Sequence, residues 1–175
     1  MPELQAMKDP TAYLKAQDVS RMISSEPNLR NRLIIRLLFR GGMRVSELCG
    51  TEVKNILWNE KCIIIPHLKR RRKPGEPPLT RKIPLDTTTM RLIQEYLDYR
   101  EEFHLDGNNS KRLIPLDRRM VYWIVRRAAE RIGIFKVGNG IHNHPHPHTL
   151  RHSYATHRVA TTGGDYGELR KVQLA

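Results

Sequence analysis

Cysteine is scarce in this sequence, with only Cys49 and Cys62 among 175 residues. Two thiols cannot supply the disulfide framework on which small secreted domains rely. The opening residues, Met1-Pro2-Glu3-Leu4, place no basic patch ahead of an apolar run, so they are not expected to act as a secretory signal. Both thiols are therefore expected to be reduced and partly buried. Long apolar runs are missing as well. No window approaches the ~18 apolar residues that span a bilayer, and mean hydropathy is −0.57. There is no internal repeat and no low-complexity tract, which excludes a solenoid. At 39% hydrophobic residues the chain still has material for the core of one domain or a little more.

Acidic residues are the most telling shortage. Eighteen Asp and Glu stand against 31 Lys and Arg, a formal net charge of +13, and the isoelectric point is near 10.2. Such an excess attracts a polyanion, nucleic acid first and an anionic membrane surface second.

Periodicity predicts a mainly helical chain with one small antiparallel sheet. Residues 18–23 carry Val19, Met22 and Ile23 at helical spacing. Asn28 suits the cap of a second helix, in which Leu33, Ile34, Leu37 and Leu38 form a broad apolar face and which Gly41-Gly42 ends. A helical turn comes next at 45–49. Residues 53–58, 61–67 and 81–85 read as three short strands, with Asn59-Glu60 as a tight connection between the first two. A basic, proline-rich hairpin loop, 69–78, precedes the third. Residues 87–101 read as a helix with Met90, Ile93, Leu97 and Phe103 roughly on one side, 106–110 as a loop, and 118–132 as a helix with Val121, Ile124, Val125 and Ala128 inward. Residues 136–147, rich in glycine, histidine and proline, read as loop, 149–160 as helix, 161–165 as a break, and 166–174 as the start of one more helix.

Two short stretches carry chemistry. In Gly42-Met43-Arg44-Val45-Ser46-Glu47-Leu48, Arg44 and Glu47 are at i, i+3, so the carboxylate can hold the guanidinium in one orientation. Alone, such a pair also reads as an ordinary surface ion pair. In His148-Thr149-Leu150-Arg151-His152, His148 and Arg151 leave the opening of a helix from one face. Arginine makes planar bidentate contacts to phosphate oxygens, and histidine moves protons near neutral pH. His142, His144, His146 and His148 alternate, but the intervening Asn143, Pro145 and Pro147 space them along an extended loop with no thiolate nearby, so no metal site is expected.

Taken together these segments resemble the catalytic core of the tyrosine recombinases, the group of phage integrases, Xer recombinases and Cre. The family pattern is G-x-R-x-S-E-L, a lysine in a β-hairpin ahead of an R-x-x-P-L strand, then H-x-L-R-H with A-T-H close behind. This chain has Gly42, Arg44, Ser46, Glu47 and Leu48, then Lys69 and Arg81-Lys82-Ile83-Pro84-Leu85, then His148, Leu150, Arg151, His152 and Ala155-Thr156-His157, in that order. The resemblance covers nearly all of the chain and implies the DNA breaking–rejoining fold. It implies strand cleavage and rejoining through a 3′-phosphotyrosyl intermediate, in site-specific recombination or integration, with no metal or other cofactor.

In that chemistry Arg44 and Arg151 would hold the non-bridging oxygens, Glu47 would orient Arg44, and Lys69 would protonate the leaving 5′-hydroxyl, with Lys73 and Lys82 as alternatives. His148 would accept the tyrosine's proton or hold the phosphate. Arg70, Arg71, Arg72, Lys73, Arg81 and Lys82 would contact DNA, although the run from Arg70 to Lys73 also reads as a solvated charge run. Double-stranded DNA and further protomers assembled on it are the implied partners, with no membrane and no small-molecule substrate, and the implied location is cytoplasmic, at the nucleoid.

The family continues with D-L-R-x-V-Q-x-L-L-G-H and then the tyrosine. Glu168-Leu169-Arg170-Lys171-Val172-Gln173-Leu174-Ala175 matches the start of that segment. Tyr154 and Tyr166 lie too early to be the nucleophile. Residues 1–175 are thus expected to be a catalytic domain stopping short of its tyrosine, without the N-terminal core-binding domain. Thr51 and Asn55 replace the usual leucine and aspartate, and Thr161-Thr162-Gly163-Gly164 lengthens a loop. A non-catalytic DNA-binding module of the same fold and a type IB topoisomerase remain the alternatives.

Overall fold

The computed structural model describes residues 13–66, 75, 79–103, 105, 111–137 and 144–161, without the side chains of 159–161. The expected loops at 69–78 and 106–110 (apart from Gly75), Lys69 as the expected general acid, and the expected helix at 166–174 lie outside the described residues.

Among the described residues six α-helices pack around one core, with a three-stranded sheet at its side. Helix α1 spans Ala16–Ser25 and α2 spans Leu29–Arg40. The Asn28 side chain accepts the Asn31 N–H at 3.2 Å, the expected cap. Helix α2 is the centre of the molecule. Leu33, Ile34, Ile35, Leu37 and Leu38 are fully buried, and helices from both sides of it in sequence pack on it, as detailed below for α3 to α6. The short α3, Val45–Gly50, comes directly after it.

Strands β1 (Ile56–Leu57), β2 (Cys62–Pro66) and β3 (Thr80–Pro84) pair antiparallel in chain order. The first strand is shorter than periodicity predicts. Val53–Asn55 form a single 3-10 turn, because the Asn55 side chain accepts the Glu52 N–H at 2.9 Å and closes the backbone locally. Lys61 belongs to the β1–β2 turn and not to β2, with φ 49°. Cys49 and Cys62 are both free and buried, and burial pushes the Cys49 thiol above its ordinary value.

Helix α4 is Thr87–Glu102, α5 is Arg118–Arg131 and α6 is Pro147–Thr161. All three, with α1 and α3, pack on α2. On α4, Met90, Ile93, Tyr96 and Arg100 face inward. Phe103 does not; it sits past the last turn, 54% exposed, tilted against the Tyr99 ring at 4.7 Å. The inward position belongs to Arg100, whose Nη1 donates to the carbonyls of Arg112 and Leu113, both at 2.9 Å. Helix α6 starts two residues earlier than expected because Pro147 occupies its opening, where a missing N–H costs nothing. Val121, Ile124, Val125 and Ala128 of α5 are buried, as their spacing predicts. Among the described residues no helix is long and apolar enough to cross a membrane.

The central position of α2 sets a contrast between two substitutions. Leu37→Ala should lower the unfolding free energy by about 2–5 kcal/mol, since the cavity opens in the most buried helix. Phe103→Ala should change it by less than about 0.5 kcal/mol. Urea denaturation followed by circular dichroism measures both; equal losses would contradict the placement of Phe103 outside the core.

Candidate active site

The turn between α2 and α3 delivers the first arginine. Helix α2 stops at Arg40, Gly41 caps it, and Gly42 takes the left-handed conformation with φ 57°. A side chain at Gly42 would be strained there. Its Cβ would also lie 2.4 Å from two ring carbons of Tyr154. Two residues on, Arg44 is the N-cap of α3, and Glu47 is its third residue.

Glu47 is the hub of the cluster. Its side chain is 2% exposed. One carboxylate oxygen accepts the Arg44 backbone N–H at 2.7 Å and the other accepts Arg44 Nη1 at 2.9 Å. The first oxygen also accepts Arg81 Nη2 from β3 at 2.9 Å. Burying a carboxylate is costly unless it is paired and hydrogen-bonded, and two guanidiniums and an N–H meet that need. The Arg81 side chain is itself only 14% exposed. Alternation along β3 explains this: Arg81 shares a face with the buried Ile83, while Lys82 points the other way and ion-pairs with Glu60.

Helix α6 brings the second arginine. Arg151 donates from Nη1 to the Gly42 carbonyl, tying α6 to the turn that carries Arg44. Burial lowers the Arg151 pKa most, then the cations of Arg44 and Arg81, while Glu47 opposes them. The guanidinium nevertheless remains protonated at neutral pH. Arg44, Arg81, Arg151 and Glu47 thus form one cluster in which positive charge exceeds negative by two.

His148 opens α6 three residues before Arg151 and is exposed. Partial burial, then the neighbouring His146, His152 and Arg151, hold its pKa below the ordinary 6.5. The shift favours the neutral ring, the form able to take a proton. His146 is engaged otherwise, with Nδ1 2.7 Å from Thr149 Oγ1 and its ring 5.9 Å from Tyr122. His144 Nδ1 lies 3.0 Å from the Phe135 carbonyl. Among the described residues no group of three His, Cys, Asp or Glu could hold a metal ion.

Of the residues singled out from sequence, Arg44, Glu47, Arg81 and Arg151 come together, with His148 beside Arg151. Lys82 stands apart on the sheet surface. Lys69, Arg70, Arg71, Arg72 and Lys73 lie outside the described residues. Sequence reading missed three features: Arg81 on Glu47, Arg151 on the Gly42 carbonyl, and Tyr154 against Gly42. The first had a signal, since Arg81, Ile83 and Leu85 alternate toward the core. Chemically, two neighbouring arginines suit a tetrahedral oxyanion, to which guanidinium offers planar pairs of donors, and an imidazole beside them can move a proton.

Comparison with known proteins gives the family and the fold. The model of the phage integrase family matches residues 12–171. Tyrosine recombinase XerA of Pyrococcus horikoshii is 28% identical over 149 residues, covering 83% of this chain and 47% of that protein. Tyrosine recombinase XerC of Escherichia coli O157:H7 is 26% identical over 164 residues, 91% of this chain and 50% of that one. The chain therefore spans about half the length of these relatives. Among solved structures, XerA recombinase superposes with a TM-score of 0.70 at 22% identity, over 98% of this chain and 57% of that one. XerH site-specific recombinase bound to its difH substrate superposes at 0.64 and 22% identity, over 89% of this chain and 45% of that one. These superpositions establish the fold, and with a family match running over nearly its whole length, the chain belongs to the phage integrase family.

Proposed function

We propose that this chain is the phosphate-gripping catalytic domain of a site-specific DNA recombinase, which cuts and rejoins strands through a 3′-phosphotyrosyl intermediate. The observation that carries the reading is the convergence of Arg44 and Arg151, from helices far apart in sequence, around the buried Glu47. DNA supplies the phosphodiester, and the net charge of +13 favours a polyanionic partner. In the reaction a tyrosine oxygen attacks phosphorus and the 5′-oxygen leaves, so the bond energy stays in the phosphotyrosyl for rejoining. Charge on the non-bridging oxygens falls to Arg44 and Arg151. Preorganised donors of this kind contribute ~3 kcal/mol each. Glu47 orients Arg44, and Arg81 is its second partner. His148, whose surroundings favour the neutral ring, accepts the tyrosine proton or steadies the phosphate, and Lys69 protonates the leaving oxygen. Arg70, Arg71, Arg72, Lys73 and Lys82 add phosphate contacts along the duplex.

Tyr154 is not the attacking group in this reading. Its ring lies against Gly42 and its hydroxyl accepts from Arg158 Nη1 at 2.8 Å. The attacking hydroxyl is assigned to none of the tyrosines present.

Two measurements test the proposal. In a chain that also carries the attacking tyrosine, a nicked duplex should trap a covalent protein–DNA adduct. Arg151→Ala should abolish the adduct, and Lys69→Ala should slow it by at least ~10²-fold, the scale of general acid catalysis. A 5′-bridging phosphorothiolate should restore the Lys69→Ala rate, because sulfur leaves without a proton; no rescue would move the acid to Lys73 or Lys82, and an adduct that survives Arg151→Ala would overturn the reading. The second measurement is an NMR titration of His148 in the 175-residue chain. Its midpoint should fall below 6.5 and move part of the way back in Arg151→Gln, because one of the cations disfavouring the imidazolium is gone. A midpoint at or above 6.5 would contradict the burial and neighbouring positive charge placed around His148.

A further inference from the structure

Arg151 and Tyr154 are three residues apart on α6, so their side chains leave from one face. Both end on the same residue. Arg151 Nη1 donates to the Gly42 carbonyl, and the Tyr154 ring fills the space a Gly42 side chain would need, with Cδ1 and Cε1 2.4 Å and Cγ 3.2 Å from that missing Cβ. Gly42 is two residues before Arg44, and its φ of 57° is the bend that turns the chain from α2 into α3. One turn of α6 therefore grips the loop carrying Arg44 twice, by a hydrogen bond and by a packed ring. Tyr154 is itself braced, with its hydroxyl held by Arg158 one turn later on α6 at 2.8 Å. The other side of the same helix is pinned as well: Ser153 Oγ accepts the Leu14 N–H at 2.8 Å, and His157 Nε2 lies 2.9 Å from the Leu14 carbonyl.

We infer that Tyr154 is a positioning residue, a wedge whose ring locks the Gly42 turn onto α6 and so fixes Arg44 relative to Arg151. The inference rests on the proposed phosphate-gripping role of the two arginines. Preorganisation is the reason such a device matters. Two guanidiniums stabilise a phosphoryl transition state only when they hold their places before charge develops. Glu47 orients Arg44 within its own helix turn but has no covalent or helical tie to α6. The Gly42–Tyr154 contact supplies that link across 112 residues of sequence, and it asks for glycine on one side and a flat ring on the other. Tyr154→Phe keeps the wedge, whereas Tyr154→Leu keeps apolar bulk without the plane and Tyr154→Ala removes both.

The test uses the 175-residue chain with inorganic phosphate as probe, reading the guanidinium Nε–H signals of Arg44 and Arg151 by NMR and the phosphate affinity in the same titration. Tyr154→Phe should keep both signals and bind within twofold of the parent chain. Tyr154→Ala and Tyr154→Leu should shift or broaden both arginine signals before any phosphate is added and weaken binding fivefold or more. Gly42→Ala should do the same in the parent chain, because its methyl would strike the Tyr154 ring and be strained at φ 57°. If Tyr154→Ala does not fold, Tyr154→Leu carries the comparison. Unperturbed arginine signals in both truncations would overturn the inference, as would Tyr154→Phe losing as much as Tyr154→Leu, which would give the role to the hydroxyl and Arg158. If the parent chain binds no phosphate at all, the functional reading of the site fails, while the phosphate-free arginine signals still decide whether Tyr154 sets their positions.

Discussion

The site depends on one buried carboxylate. Glu47 has almost no contact with solvent, yet it sits on a six-residue helix that could not hold a charge in place alone. An ionised carboxylate in that position would cost several kcal/mol if left unpartnered. Arg44 and Arg81 answer it from two sides, one from the preceding turn and one from the sheet. The consequence runs both ways. The arginines satisfy the buried Glu47 carboxylate, and Glu47 removes the freedom that long guanidinium side chains otherwise have. Once Arg44 is fixed in this way, Arg151 can be set beside it by its bond to the Gly42 carbonyl, and the excess of positive charge is concentrated in one place.

The rest of the fold serves that arrangement. Helix α2 is buried along most of one side and acts as the post on which α4, α5 and α6 lean. Its C-terminal end releases the chain into the Gly42 turn, so the position of the first arginine is set by the packing of the most buried helix. The sheet contributes through β3, where alternation sends Arg81 inward to Glu47 and Lys82 outward to Glu60.

How much of this was legible in the sequence depended on distance along the chain. The Arg44–Glu47 and His148–Arg151 pairs are local, and helical spacing announced them. The Asn28 cap and the apolar faces of α2 and α5 were readable for the same reason. Contacts across long separations were not. Glu47 and Arg81 are 34 residues apart and Gly42 and Arg151 are 109 apart, and only the folded chain brings each pair together. Two local readings also failed, each to a side chain. Asn55 drew Val53–Asn55 out of the first strand by accepting the Glu52 N–H, and Arg100 took the inward place expected of Phe103 because its guanidinium could satisfy two buried carbonyls. Arg81 entered the sequence reading as a DNA contact; the fold gives it a carboxylate partner as well.

If the cluster grips phosphate as proposed, its buried carboxylate has a consequence of unusual sign. Glu47→Gln removes a negative charge from a protein that carries +13, and simple electrostatics says that its hold on DNA should tighten. If Glu47 works by orienting the arginines, the opposite is expected. The decisive measurement is the affinity of the 175-residue chain for a short duplex at one fixed salt concentration, with and without Glu47→Gln, the fold of each checked by circular dichroism. Binding should be weaker, by about threefold or more, in the variant that gains positive charge, as expected when ~0.7 kcal/mol of oriented contact is lost. Equal or tighter binding by a folded Glu47→Gln would contradict the organising role of this carboxylate.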